Sequence, residues 1–250
     1  QGPLSENLMA KLVGEPVRDI PYYGLMETTL EGVDIVISQT GFTGEKGYEI
    51  YVRDAHQNAE VVWNAVLEAG EEFGLQVVAP AHHRRIAAGI LSWGQDMDFE
   101  TSPFQVNLSY QVPRNKQADY IGKEELERQR ATIDGGNFPF KMRMVGLIFG
   151  GKQITDYAPD FWLIADTDGK DIGYITSPWW SPELNTNIAL GWVPSNSSEV
   201  GTKLLVRLPD EYSESSGVPA EGEIVDVPFR ESVNPNIREV AKAKGLDYAE

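Results

Sequence analysis

Two periods of hydrophobic spacing alternate along the chain, and the switches between them outline its elements. Over residues 22–52 the period is two: Val33, Ile35 and Ile37 fall on one side of an extended segment. Segments 25–30 and 33–38 flank Glu31-Gly32, a hairpin signal, and a third strand is predicted over 48–53. In that strand Tyr48, Ile50 and Val52 share the core side, which leaves Glu49 and Tyr51 on the other. A helical period follows. Asp54 reads as an N-cap with Gln57 as its capping-box partner, opening a helix that reaches Phe73. Val62, Val66, Ala69 and Phe73 form its apolar stripe, and Gly74 suits the position after it. A second helix is predicted from near Pro80, through His82, His83, Arg84 and Arg85, to near Gly94.

Residues 101–112 read as extended, and a short helix runs from Tyr120 to near Arg130. Asp134-Gly-Gly-Asn-Phe-Pro then interrupts the pattern and marks a domain boundary at 136/137. Beyond it the period of two returns in short segments at 143–149, 162–165, 171–176, 187–193, 203–208 and 223–227. Such spacing, with Gly and Pro turns, predicts a small barrel or a sandwich. Residues 230–250 read as a charged helical tail. The predicted fold class is α+β: a mixed α/β region over 1–136, an antiparallel β domain over 137–229, then the tail.

Composition narrows the partners. With 38 acidic against 21 basic residues the formal net charge is −17, which repels phosphate backbones and anionic lipid, so neither nucleic acid nor a membrane is expected. No run of about 18 apolar residues suggests a spanning helix. The chain has no cysteine, which removes disulfides, thiolate catalysis and zinc–sulfur sites and fits a cytoplasmic location. His56, His82 and His83 are too few and badly spaced for a metal centre, so none is expected. A protein partner is not evident in the pattern.

Chemistry concentrates in Gly41-Phe-Thr-Gly-Glu-Lys-Gly-Tyr-Glu-Ile-Tyr-Val52, where a glycine-rich turn delivers Glu49 and Tyr51 on one strand face. A carboxylate accepts two parallel N–H donors, and the 2-amino-4-oxo edge of a pterin offers such a pair. Glu49, with Tyr51 on the same strand face, is the candidate folate grip; the alternative is an exposed strand carboxylate, with Phe42 and Tyr51 as core or rim aromatics. Arg84 and Arg85 diverge by about 100° on a helix, so one of them faces a site. Asp96 and Asp98 read as acceptors of turn amides rather than as an acid–base pair. His82 is a candidate substrate or channel contact, and Trp179 and Trp180 either cover a channel mouth or pack a barrel.

The same motif resembles the signature of the folate-dependent aminomethyltransferase family, which includes the glycine cleavage T-protein and tetrahydrofolate-dependent demethylases. Further segments resemble the family pattern in order: Arg85-Ile-Ala-Ala-Gly-Ile-Leu-Ser-Trp-Gly-Gln-Asp-Met-Asp98, Ser102-Pro-Phe-Gln-Val-Asn-Leu, Tyr120-Ile-Gly-Lys-Glu-Glu-Leu, Thr176-Ser-Pro-Trp-Trp-Ser-Pro-Glu-Leu and Ile188-Ala-Leu-Gly-Trp-Val. The likeness runs from Gln1 to near Phe229. It implies a C-terminal barrel, a pterin held by Glu49 with Tyr51 and Phe42 beside it, a folate or site-shaping role for Arg85, and a channel between domains. It also implies tetrahydrofolate as cofactor and transfer of a methyl group from a small methylated donor to its N5.

Departures tilt the branch. Ala81 and His82 stand where the T-protein has an Arg-Asp pair, Gln105 and Asn107 replace Glu and Gly, and Trp93 and Gln95 replace Tyr and Asn. Leu91-Ser-Trp-Gly-Gln-Asp and Ser102-Pro-Phe lean toward the demethylases. The alternatives are a glycine-cleavage aminomethyltransferase and a folate-binding regulator without transfer activity. In the family a catalytically important aspartate precedes a Gln-Gly-Pro segment like Gln1-Gly2-Pro3. The chain is therefore expected to be a fragment lacking that portion, which leaves no catalytic residue to assign within it.

Overall fold

The computed structural model describes residues 1–114 and 116–229. Contacts divide the chain into a unit spanning Gln1–Ala81 and a second that begins at His82.

The first unit opens with a helix, α1 (Ser5–Val13), that the sequence reading passed over. A three-stranded antiparallel sheet follows, in the order β1 (Leu25–Leu30), β2 (Val33–Ser38), β3 (Glu49–Val52). The β1–β2 hairpin turns through Glu31 and Gly32, both at positive φ, as that pair predicts. Helix α2 (Ala55–Gly70) covers the sheet, ending in a 3-10 turn at Glu71–Phe73 and a left-handed Gly74. Val33, Ile35 and Ile37 pack with Leu30, Met9, Val17 and Val62 into one core, and Ile50 and Val52 join it from β3. Burying a side chain such as Ile37 stabilises the unit by about 1.5–3 kcal/mol. One local expectation fails. Asp54 occupies the N-cap position of α2 but makes no side-chain capping bond. It adopts a left-handed conformation, φ 50, and its carbonyl oxygen accepts the Gln57 and Asn58 N–H groups instead.

The second unit contains α3 (His82–Ala87), α4 (Lys123–Asp134) and six strands. Helix α3 is shorter than predicted. It stops in a Schellman motif: Ile90 N–H donates to Arg85 O at 2.8 Å and Gly89 N–H to Ile86 O at 2.9 Å. Gly89 has φ +71, and a Cβ there would lie 2.3 Å from Val227 Cγ1. Residues 101–112, expected to be extended, form successive turns and a 3-10 turn at Ser109–Gln111.

Strands β4 (Met142–Phe149), β5 (Trp162–Ala165), β6 (Asp171–Ser181), β7 (Thr186–Pro194), β8 (Lys203–Val206) and β9 (Ala220–Val225) close a barrel in the order β4-β7-β6-β5-β8-β9. The barrel, not the sandwich, is therefore what this pattern builds. Leu147, Ile154, Ile164, Ala189 and Val206 fill it with no solvent exposure. Strand β6 runs past its predicted end through Pro178, which stands opposite Ala189, after a bulge between Ile175 and Ser177. A proline in a strand argues for its end from sequence, and the bulge accommodates it. By contact α3 and α4 group with the barrel rather than with the sheet. The tail predicted over 230–250 lies outside the described residues.

Candidate functional site

In the first unit the turn between β2 and β3 is wrapped around the Gln1 side chain. Its Nε2 donates to Thr40 O and Tyr48 O, both at 3.4 Å, and its Oε1 accepts the Thr43 hydroxyl at 3.1 Å. The approach is so close that a Cβ on Gly41 or Gly47 would fall 2.2 or 2.4 Å from that amide. The turn leads into β3, whose alternation is as predicted: Ile50 and Val52 face the core, while Glu49 and Tyr51 are exposed. Glu49 is paired with no cation among the described residues. Its Oε2 accepts hydrogen bonds from the Thr40 hydroxyl and from the Tyr51 hydroxyl, the latter at 3.2 Å. No donor among the described residues reaches Oε1. Phe42 and Tyr51 are 44% and 56% exposed, so both rings have free surface. The carboxylate stands on the outer face of the sheet, oriented by hydroxyls.

In the second unit the network around Arg85 was only half visible in the sequence. Its side chain is 1% exposed and all five N–H groups are used. Nε donates to His82 Nδ1 at 3.3 Å, Nη1 to Asp96 Oδ2 at 2.6 Å and Ile90 O at 3.2 Å, and Nη2 to Ser177 Oγ at 2.8 Å and Gln95 Oε1 at 3.3 Å. Asp96 is equally enclosed, accepting Ser92 N–H at 2.8 Å and the Thr176 and Ser177 hydroxyls, each at 2.5 Å. Such a pair is tolerated because every donor and acceptor is satisfied; removing one partner would cost about 3–5 kcal/mol. Arg85, for which the resemblance implied a folate or site-shaping role, thus has all five N–H groups engaged within the protein. It positions its neighbours.

One of those neighbours is His82. Its ring stacks on Trp179 at 5.6 Å between centroids and meets the edge of Tyr157 at 4.4 Å. Burial lowers the His82 pKa, the Arg85 charge lowers it further, and Asp96 opposes both. An Nδ1 that accepts from Arg85 leaves the proton on Nε2, so the ring is neutral and presents a donor there. Tyr157 is fixed in turn, its hydroxyl donating to Gln95 Oε1 at 2.6 Å. Trp180, one residue on from Trp179 in β6, is carried by strand alternation to the opposite face, so the two tryptophans do not act together. A concavity of about 620 Å³ on the barrel, bounded by Thr167, Thr186, Lys203 and Glu223, is lined by none of the expected residues.

Sequence reasoning missed Thr40, Gln95 and Tyr157. Thr40 could have been found, since it immediately precedes the glycine-rich turn. Tyr157 lies in a segment without periodicity and gave no signal.

The residues of the glycine-rich turn and those of the barrel are matched by two family models. The GCVT N-terminal domain covers residues 1–116 and the glycine cleavage T-protein C-terminal barrel domain covers 142–229. The chain belongs to the glycine cleavage T-protein family. Among curated members of this family, dimethylsulfoniopropionate demethylase DmdA of Ruegeria pomeroyi is 32% identical over 210 residues, 84% of this chain and 54% of that protein. An aminomethyltransferase of Clostridium botulinum is likewise 32% identical over 211 residues, 83% of this chain and 54% of that protein. The crystal structure of the glycine cleavage system aminomethyltransferase T from Bartonella henselae superposes with a TM-score of 0.73, covering 93% of this chain and 58% of that one. At 24% identity that likeness shows the T-protein fold alone. The chain thus spans about half the length of the curated relatives it matches.

Proposed function

We propose that this chain carries the pterin-gripping part of a tetrahydrofolate-dependent one-carbon transferase, moving a methyl group from a small methylated donor to N5 of tetrahydrofolate in the cytoplasm. The observation that carries the reading is the Glu49 carboxylate. It is exposed, unpaired with any cation among the described residues, and retains Oε1 for an incoming donor, with the Tyr51 hydroxyl 3.2 Å from its other oxygen. This acceptor fits a pterin, whose amino-oxo edge brings two parallel N–H groups. Glu49 would hold that edge, and Phe42 and Tyr51 would cover the ring and exclude water from it. When bound, tetrahydrofolate supplies the nucleophilic nitrogen. The protein's part is then orientation, which is worth several kcal/mol when reacting atoms are held in line.

Two curated relatives of equal identity, one named a demethylase and one an aminomethyltransferase, support the family equally. Residue chemistry favours the demethylase branch. Ala81 and His82 replace the charged Arg-Asp pair of the T-protein pattern, and the neutral His82 ring lies against Trp179 and Tyr157. We assign His82, and the Trp179 ring stacked on it, to the donor substrate. A product assay tests the reading: incubation with tetrahydrofolate and dimethylsulfoniopropionate should yield 5-methyltetrahydrofolate. Folate binding without turnover of any methylated donor, in a protein that also carries the aspartate-bearing portion of the family, would favour a regulator instead, and turnover of an aminomethyl donor alone would favour the glycine-cleavage branch.

A further inference from the structure

We infer that Thr40 is the positioning residue of the Glu49 carboxylate, and that Gln1 holds Thr40 in place. The inference rests on the proposed pterin grip and extends it to residues outside the grip itself.

Glu49 lies on an exposed strand face, where a carboxylate side chain would ordinarily sample several rotamers. Here one of its oxygens is tethered. The Thr40 hydroxyl donates to Oε2, and Thr40 lies just beyond Ser38, which pairs with Glu49 across β2 and β3. Tyr51 adds a second, longer bond to the same oxygen at 3.2 Å. Both hydroxyls therefore fall on Oε2, and Oε1 keeps its lone pairs. Two parallel N–H donors need one oxygen each, so a ligand that grips the fork must share Oε2 with these hydroxyls or displace one. The weaker Tyr51 bond is the one that yields, while Thr40 keeps the carboxylate aimed.

Thr40 is itself fixed from behind. The Gln1 amide bridges its carbonyl oxygen to that of Tyr48, closing the two ends of the turn onto each other. The bare Cα positions of Gly41 and Gly47 make room for that amide, at 2.2 and 2.4 Å from where a Cβ would stand. Thr40 is β-branched, so its χ1 has few alternatives once the backbone is held. A chain of contacts thus runs from Gln1 through the Thr40 backbone to its hydroxyl and on to the carboxylate.

The test is a calorimetric titration of 5-methyltetrahydrofolate into the 250-residue chain and into Glu49→Gln, Thr40→Val, Thr40→Ser and Gln1→Ala, with thermal melts to confirm folding. The expected pattern is a loss of about tenfold in affinity for Thr40→Val, recovery in Thr40→Ser, a smaller loss for Gln1→Ala, and unchanged melting for Thr40→Val. Wild-type affinity in a folded Thr40→Val, or failure of serine to restore what valine loses, overturns the inference while leaving the grip standing, provided Glu49→Gln still weakens binding. No binding by the wild-type chain, or equal binding by Glu49→Gln, overturns the grip and the inference with it.

Discussion

At the residue scale, two carboxylates singled out in the sequence have opposite fates. Asp96 is enclosed with Arg85 and has every lone pair committed, whereas Glu49 is exposed with one oxygen open. The second arrangement can receive a ligand and the first can only hold a scaffold. Period-two alternation was enough to put Glu49 and Tyr51 on the outer face, because strand geometry leaves no other choice once Ile50 and Val52 are buried. It could not show that Arg85 spends its donors on Asp96 and on Ser177, 92 positions along the chain, because that pairing is made by tertiary contact. His82 offers a test of this network. Its pKa is lowered from 6.5 by burial and by Arg85, so the folded state disfavours its proton. As pH falls below the unfolded value the unfolded chain takes up that proton first, and stability is lost down to the lowered folded value. Urea unfolding followed from pH 7.5 toward about pH 5 should show a steeper decline for the wild type than for His82→Gln. Parallel slopes would contradict the neutral ring.

At the scale of elements, most strands lie where the hydrophobic period put them, and the mismatches have identifiable causes. Segments 25–30, 33–38 and 162–165 match the sequence reading residue for residue. Helix α3 was read too long because residues 86–91 are apolar and helix-compatible, and the left-handed Gly89 that ends the helix looks like any other helix glycine. Strand β6 was read too short because a proline ordinarily ends a ladder. A substitution checks the first of these. Gly89→Ala places a methyl group against Val227 and forces a left-handed conformation on an L-residue, a backbone term alone of about 1–2 kcal/mol. Its melting temperature should fall by several degrees, whereas Ala88→Gly, one residue earlier in the same turn but not left-handed, should shift it less. Equal shifts would mean that the Schellman turn does not set the end of α3.

At the scale of the molecule, a sheet-and-helix unit and a closed antiparallel barrel account for the chain over residues matched by the two family models. The barrel was legible because its strands repeat at short, regular spacing, although closure itself was not, since it depends on β9 returning to pair with β4. A net charge of −17 gives the molecule a repulsive field toward other polyanions, so the proposed recognition of an anionic folate would come from short-range hydrogen bonds and aromatic faces rather than from long-range attraction. This throws weight onto a single exposed carboxylate. The decisive measurement is the affinity of the 250-residue chain for tetrahydrofolate with and without that group, read by anaerobic calorimetry on the wild type and on Glu49→Ala. Loss of charge-assisted bonds to the pterin should weaken binding by at least about tenfold with the melting temperature unchanged. Identical affinities in two equally folded proteins would contradict the central claim.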